Sequence, residues 1–203
     1  MTQAFNLAQL ANNLNTSGQL DATDGLNGLV ANSNLASSGT ADSTTFLRGD
    51  RSWATVTQKV LQVVSTVYST RQSFSVAAGG TYYDTALTAS ITPASASNKI
   101  LVMVTATHQS LYNGQANIGS TLGLKRNSTR IAGAIGDHVA TIGNAENLAP
   151  TGNIILLDSP SSTSSVTYTV QISTVGGSQT VYFNGTYGQT GFDSYITLME
   201  IAA

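Results

Sequence analysis

The sequence predicts a mainly β protein, with a short N-terminal helix and an extended stem followed by an antiparallel, jelly-roll-like β-sandwich. Residues 1–58 contain no lysine and are rich in Asn, Thr, Ser, Gly and Ala. From residue 59 onward, short apolar and β-branched segments alternate with Gly, Ser and Asn turns, a pattern typical of many short strands. Charged residues are 9% of the chain, against roughly 25% in an ordinary soluble domain, so neutral polar side chains must keep the protein soluble.

The first 20 residues carry a narrow helical stripe. Phe5, Leu7, Leu10 and Leu14 are apolar, and the three leucines follow an i, i+3, i+7 spacing. A helix of under four turns is marginal by itself. We therefore expect residues 1–20 to form an anchor helix completed by sister chains or a partner, with a frayed terminus as the alternative.

Residues 21–58 show no sustained period, because their leucines are separated by turn formers such as Asn27-Gly28. Burying one leucine, for example Leu26 or Leu29, stabilises a fold by about 1.5–3 kcal/mol. Ordering the backbone costs roughly 1–2 kcal/mol per residue, so one such segment cannot fold alone. We expect an intertwined stem in an obligate oligomer, with the leucines packed between chains.

Residues 59–203 are predicted to form the sandwich, with about nine or ten strands and no helix. Residues 60–68 are β-branched and aromatic, which favours a strand. Two further strands are predicted at 72–76 and 81–92, separated by the Gly79-Gly80 turn and ended by Pro93.

The middle of the sandwich is predicted to contain a central strand and a hairpin. Residues 100–107 form a continuous apolar run, which predicts a strand buried on both faces. Residues 121–125 and 129–135 predict two strands joined at Arg126-Asn127-Ser128.

Four strands are predicted in the last third of the chain. Residues 153–157 again form a buried-type run, ended by Asp158-Ser159-Pro160. Residues 166–172 alternate between apolar and polar side chains, as expected of a half-buried antiparallel strand. Residues 179–184 and 194–201 complete the set.

Three polar stretches interrupt these strands, at 109–120, 136–152 and 187–193. Long polar loops on a rigid β scaffold are where binding residues usually lie. Exposed aromatic rings stack on sugar rings, and amides form hydrogen bonds with them. The candidate receptor contacts are Tyr112, Asn113, Asn117, Asp137, His138, Tyr187 and Phe192.

Catalytic and cofactor-binding patterns are missing from the sequence. It contains no cysteine, no glycine-rich phosphate loop and no nucleophile elbow. Asp137 and Glu146 are the only pair of acids that share a predicted loop and suit glycoside cleavage. We expect no enzymatic activity, no cofactor and no metal. The alternative that stays open is a metal ion on a symmetry axis of the oligomer, and His138 is the first residue to test as its ligand.

Nucleic-acid and membrane partners are also disfavoured. The net charge is −2, and only Lys125, Arg126 and Arg130 cluster, which gives a weak phosphate footprint. No apolar run approaches the roughly 18 residues of a membrane span. We expect neither nucleic-acid binding nor membrane insertion.

Several segments together resemble bacteriophage tail-fibre proteins. TFLRGD at 45–50, followed by SWA at 52–54, resembles the FLRGD-x-x-W segment of tail-fibre stems, in which Arg48-Gly49-Asp50 is expected to be a tight turn that needs its glycine. The remainder resembles a C-terminal module of tail proteins from marine phages and cyanophages. The matching pieces, which span most of residues 44–203, are KVLQVV at 59–64, ITPASASNKILVMV at 91–104, LGLKRNSTRI at 122–131, LLDSP at 156–160 ahead of VTY at 166–168, and ITLMEI at 196–201.

This resemblance implies a homotrimeric fibre of the virion. Residues 1–20 would attach to a tail or baseplate protein, 21–58 would form the stem, and 59–203 the knob that meets a host-surface glycan such as lipopolysaccharide. Since no secretory signal is visible, we expect synthesis in the host bacterial cytoplasm and release by lysis. Two alternatives remain open: a purely structural trimeric baseplate or decoration protein, and a glycan-cleaving enzyme.

Overall fold

The computed structural model describes residues 3, 38–56, 58–77, 80–111, 119–135, 151–185, 188 and 192–203. The chain divides into two compact units, Met1–Thr57 and Gln58–Ala203. Every named element in the described ranges is a β-strand, which confirms a mainly β protein. The predicted anchor and stem contacts lie outside the described residues and stay predictions: Phe5, Leu7, Leu10, Leu14, Leu26 and Leu29.

The first unit contains a small hairpin where the sequence predicts extended stem. β1 (Thr45–Leu47) pairs antiparallel with β2 (Trp53–Thr55). The turn between them is closed by the Arg48 N–H, which donates to the Ser52 carbonyl at 2.8 Å, and by the Arg51 N–H, which donates to the Arg48 carbonyl at 2.9 Å. The predicted tight turn is confirmed. The prediction that this turn needs its glycine is wrong, because the residue with the left-handed backbone conformation is Arg51, with φ 64°.

The described part of the second unit contains ten strands, each on a predicted strand. Four have the predicted bounds, and most of the others extend further because the pairing continues past the apolar run. The strands are β3 (Val60–Tyr68), β4 (Gln72–Val76), β5 (Tyr83–Ile91), β6 (Lys99–Ser110), β7 (Gly119–Arg126), β8 (Thr129–Ile135), β9 (Thr151–Asp158), β10 (Val166–Val175), β11 (Gln179–Phe183) and β12 (Ser194–Ile201).

These ten strands pair as one nested antiparallel hairpin. β7 pairs with β8 at the tip, and then β6 with β9, β5 with β10, β4 with β11 and β3 with β12. The long hairpin is folded into two sheets. The first has the order β3-β12-β6-β11-β4, with β9 also paired to β6, and the second has the order β5-β10-β7-β8. This is the rolled-up winding of a jelly roll, so the predicted antiparallel sandwich is confirmed.

The tip of the hairpin is fixed by Asn127, which has φ 50°. Asparagine tolerates this left-handed conformation better than most residues. Its N–H donates to the Thr167 carbonyl at 2.7 Å, and its side-chain oxygen accepts the Thr167 N–H at 2.9 Å. The turn predicted at Arg126-Asn127-Ser128 is therefore also bonded to β10.

The two sheets enclose one apolar core. Val166, Tyr168, Val170 and Ile172 point into it from β10, as the alternating sequence predicts. They meet buried side chains of the first sheet, among which Phe183 is the largest. The β-branched residues that favour the strands thus also fill the space between the sheets.

Two strands predicted to be buried on both faces are buried on one face only. In β6, Val102 and Val104 are buried, whereas Leu101 and Met103 are half-buried. In β9, Ile154 is buried but Ile155 is 75% exposed. The prediction is wrong because both strands lie in the first sheet, which packs on the second sheet through only one of its faces.

A partly buried ionic cluster joins the two sheets at one edge. Arg126 Nη1 on β7 lies 2.7 and 2.8 Å from the carboxylate oxygens of Asp158 on β9. The Tyr168 hydroxyl on β10 donates to Asp158 at 2.7 Å. Burial, and then the neighbouring Asp158 carboxylate, raise the pKa of Tyr168 well above its ordinary value, so the hydroxyl remains a donor.

A second carboxylate, which is fully buried, closes the first sheet. Glu200 on β12 is fully buried and accepts hydrogen bonds from Gln62 Nε2 (2.5 Å), Asn98 Nδ2 (2.6 Å) and the Ala94 N–H (2.7 Å). Burial raises the pKa of this carboxyl, but the hydrogen bonds outweigh burial and hold the pKa below its ordinary value. The last strand is thus joined to β3 and to the segment between β5 and β6.

Replacement of Glu200 should make the protein less stable at neutral pH and less sensitive to acid. A lowered folded-state pKa stabilises the fold above the unfolded value near 4.5, and this stability is lost as the pH falls through the folded value. We expect Glu200→Gln to cost about 1–3 kcal/mol near neutral pH, because an amide cannot accept all three donors. Urea unfolding between about pH 7 and about pH 3.5 measures this difference, which should shrink on acidification.

The matched control is Asp193→Asn, because Asp193 is an exposed carboxyl near the start of β12. This change should leave the unfolding midpoint nearly unaltered. Equal midpoint shifts for the two variants, or a Glu200 effect that does not depend on pH, would contradict the account.

Candidate functional site

The described residues include one of the seven candidate receptor contacts. Phe192 is half-buried and lies immediately before β12. The other candidates lie outside the described residues and stay predictions: Tyr112, Asn113, Asn117, Asp137, His138 and Tyr187. What the structure does describe is where the three loops that carry these residues leave the sandwich.

The first two predicted loops leave from the same end of the sandwich. β6 ends at Ser110, and the β8–β9 connection returns at Thr151, which pairs with Thr107 on β6. In the facing sheet, the β6–β7 connection enters at Gly119, and Ile135 pairs with Leu122 close by. The strand ends that bound the loops at 111–118 and 136–150, which we call the loop roots, therefore surround the last third of β6.

The third loop, between β11 and β12, is rooted at the same part of β6. The Asn184 N–H donates to the Thr107 carbonyl at 2.7 Å, and the Ser194 hydroxyl accepts the Thr107 N–H at 3.3 Å. Ser194 also donates to the Asn184 side-chain oxygen at 2.8 Å. The two ends of this loop are thus bonded to each other and to one residue of β6.

Asn184 is the residue that makes this closure possible. It is fully buried and has the left-handed φ of 58°. Its side-chain amide donates to the Tyr68 carbonyl at 2.7 Å, across the junction between β3 and β4. The sequence predicted only that the strand ends near Asn184. It could not predict that this residue is buried, because asparagine is common both in exposed turns and at buried hydrogen-bonded positions.

A buried layer of polar side chains lies beneath the strand ends from which these loops leave. His108 Nδ1 lies 2.6 Å from the Ser120 hydroxyl. The Gly119 carbonyl accepts hydrogen bonds from Thr174 Oγ1 at 3.1 Å and from Gln179 Nε2 at 2.9 Å. Because buried polar groups require such partners, this layer fixes the strand ends at which the predicted loops begin.

A shallow groove lies beside this end of the sandwich, where β4 and β11 pair. Its volume is about 410 Å³, within the size range of small-ligand sites. The lining is neutral, so a ligand there would be held by hydrogen bonds and apolar contact rather than by charge. The lining residues are Ser75, Val76, Ala77, Ser178, Gln179 and Thr180.

Most acids described in the second unit have structural partners. Asp84 forms an ion pair with Lys125 and accepts Gln171 Nε2 at 2.8 Å, while Asp158 and Glu200 belong to the clusters described above. The described residues contain no group of three His, Cys, Asp or Glu side chains placed to hold a metal ion. The acids predicted as a possible catalytic pair, Asp137 and Glu146, lie outside the described residues.

Two ring–cation contacts on the surface were not predictable from the sequence. The Arg130 guanidinium lies 4.2 Å from the centre of the Tyr82 ring, and that of Arg71 lies 4.9 Å from the Tyr182 ring. The Tyr82 ring crosses Gly123, where a Cβ atom would come within 2.6 Å of it. These contacts join residues far apart in sequence, so only the strand pairing reveals them.

Comparisons with known proteins give a likeness of fold at most. No family model matches the chain, and no curated protein matches it. A VP2 subviral particle of infectious bursal disease virus matches with TM-score 0.33 and 10% identity, and the Gt strain of that virus with TM-score 0.36 and 12% identity. Each match covers 74% of this chain and 40% of the other. At such scores neither match establishes a shared family or function.

No helix in the described part of the chain is both long enough and apolar enough to cross a membrane.

Asn184 allows a test of how the third loop is held. Asn184→Gly keeps the left-handed backbone accessible and removes the side-chain hydrogen bonds, so it should cost about 2 kcal/mol. Asn184→Ala removes the same bonds and adds roughly 1–2 kcal/mol for a left-handed Cβ-bearing residue. Chemical unfolding should therefore rank wild type above Gly above Ala, and an alanine variant as stable as the glycine variant would refute the role of φ.

Proposed function

We propose that this chain is an attachment fibre of a bacteriophage virion. In this proposal three copies associate, the N-terminal segment attaches to a tail or baseplate protein, and the sandwich binds a lipopolysaccharide-like glycan. The observation that carries the proposal is the convergence of three polar connections around Thr107–Ser110 of β6. The resemblance of the stem and knob segments to tail-fibre proteins supplies the biological setting.

The chemistry around these loop roots suits a sugar better than a charged ligand. The groove at β4 and β11 is lined by side chains without charge, and its serine, threonine and glutamine side chains carry hydroxyl and amide groups. The predicted loops add tyrosines and asparagines. Aromatic rings contribute large, amphipathic contact area, and amides supply hydrogen bonds to hydroxyl groups.

Adhesion is favoured over glycan cleavage. Hydrolysis of a glycosidic bond needs two carboxyl groups facing one sugar. Asp84, Asp158 and Glu200 are each engaged in hydrogen bonds or ion pairs within the fold. We propose a non-enzymatic protein that needs no cofactor and that gains avidity from several knobs acting together, and loss of glycan release on replacing Asp137 or Glu146 would instead support the enzyme alternative.

The second candidate is a structural trimer without a receptor site, such as a baseplate or decoration protein. It is favoured by the large apolar side chains that one sheet exposes, Ile155 above all at 75%. Such residues suit assembly with other protein surfaces and make no demand for a glycan. Binding measurements on the intact protein separate the two candidates.

Loss of single loop tyrosines should weaken glycan binding measurably. The full-length protein should sediment as a trimer and bind immobilised lipopolysaccharide of a host strain. Tyr112→Ala and Tyr187→Ala should each weaken binding roughly 3- to 10-fold, since an aromatic stacking contact contributes about 0.5–1.5 kcal/mol. Biolayer interferometry with the intact protein measures both effects.

The matched control is Ser90→Ala, an exposed position on β5 in the other sheet, which should bind as wild type does. A trimer that binds no host glycan would favour the structural alternative. A monomer at micromolar concentration would contradict the fibre itself.

A further inference from the structure

The strand register places a set of apolar side chains on the outer face of the first sheet. Cross-strand partners in β3, β12, β6 and β9 point to the same side, and they form three rows across the four strands. The first row is Val63, Met199, Leu101 and Leu157, the second is Ser65, Thr197, Met103 and Ile155, and the third is Val67, Tyr195, Thr105 and Asn153. We call the eight apolar members of these rows the apolar face.

Five of the eight members of the apolar face are exposed in the single chain, and Leu101, Met103 and Met199 are half-buried. Ile155 is 75% exposed, Val63 54%, Leu157 52%, Val67 51% and Tyr195 42%. No charged side chain occurs within the three rows. An outer face of an antiparallel sheet that meets water normally carries polar side chains, so this face has the composition of a buried one.

The second sheet provides an internal comparison. Its outer face carries hydroxyl, amide and charged groups that bond to one another across the strands. We call it the polar face, and its members include Asp84, Thr88, Ser90, Lys125, Thr167, Thr169 and Gln171. One chain therefore carries one outer face suited to water and one suited to a protein contact.

The size of the apolar face fits a protein partner. Its exposed members, together with the neighbouring Val60 and Leu61 (46% and 40% exposed), present roughly 600–800 Å² of accessible surface. The largest apolar patch of a typical monomer is about 300–600 Å². A standard interface takes about 800 Å² from each partner.

We propose that the apolar face is the surface through which the sandwich packs on further copies of this chain. The three rows carry no charge, and the exposed Lys99 lies only at their border, beside Ile201, so the apolar face can pack on another copy of this chain without a partner of opposite charge. The inference deepens the proposed function and rests on its trimer for the number of copies.

The cysteine-free chain allows a direct test with single thiols. Ile155→Cys places a thiol on the apolar face, and Ser90→Cys places one on the polar face as the matched control. Both positions are exposed in the single chain, so neither change should impair folding. In the full-length protein we expect a bulky maleimide to label Cys at 155 at least about tenfold more slowly than Cys at 90, because thiol reactivity depends on access. Equal labelling rates would overturn the inference.

A benzophenone maleimide attached at 155 under denaturing conditions, followed by refolding and photolysis, identifies what covers the face. Inter-chain adducts within Val60–Tyr68 or Ser194–Ile201 support packing on a second copy. Adducts confined to residues 1–37, or to the same chain, overturn it, since the protein's own N-terminal segment would then be the occupant.

A third measurement separates failure of this inference from failure of the proposed function. Ile155→Asp should weaken or abolish the trimer in sedimentation experiments, whereas Ser90→Asp should not. If wild type is a glycan-binding trimer while Cys at 155 is labelled as readily as Cys at 90, the attachment proposal stands and the packing inference is wrong.

Discussion

The fold depends on one constraint, the nested pairing of ten strands around the β7–β8 turn. Each strand of the first half finds its partner in the second half, so the first and last strands close the unit as neighbours. The Ala202 N–H donates to the Lys59 carbonyl at 2.8 Å, and Glu200 joins β12 to β3 and to the β5–β6 segment. Most of these strand pairings join segments that are far apart along the chain. The polar clusters stabilise the fold because their hydrogen bonds hold such distant strands side by side.

Local features of the fold were predictable, and the pairing was not. The strand positions follow from β-branched runs, and the hairpin tip follows from Arg126-Asn127-Ser128, because these signals act within a few residues. The hairpin at 45–55 in the predicted stem was missed, since its strands have only three residues each. The continuous apolar runs in β6 and β9 predicted burial on both faces, yet the sandwich buries one face of each. In the proposed packing, further copies cover the apolar face, so both faces of β6 and β9 are buried in the oligomer although only one is buried in the single chain.

The candidate site shows the same division between local and long-range information. Composition alone identified three polar loops, and the structure brings their roots together around Thr107–Ser110. The buried layer that fixes these roots was not predictable, because His108, Ser120 and Gln179 meet only through the sheet pairing. In the proposed fibre the two special surfaces have separate tasks, with the loop end directed to the host and the apolar face to sister chains.

The most direct test of this account is hydroxyl-radical footprinting of the full-length protein at its native concentration, read at Met103, Met199, Ile155 and Leu157. These side chains lie on the apolar face, and methionine reports its own solvent access through oxidation. The account predicts that they are protected as strongly as core residues such as Leu198, while the polar face reacts freely. Oxidation of Ile155 and Leu157, which are exposed in the single chain, at the rate of exposed surface residues would contradict it.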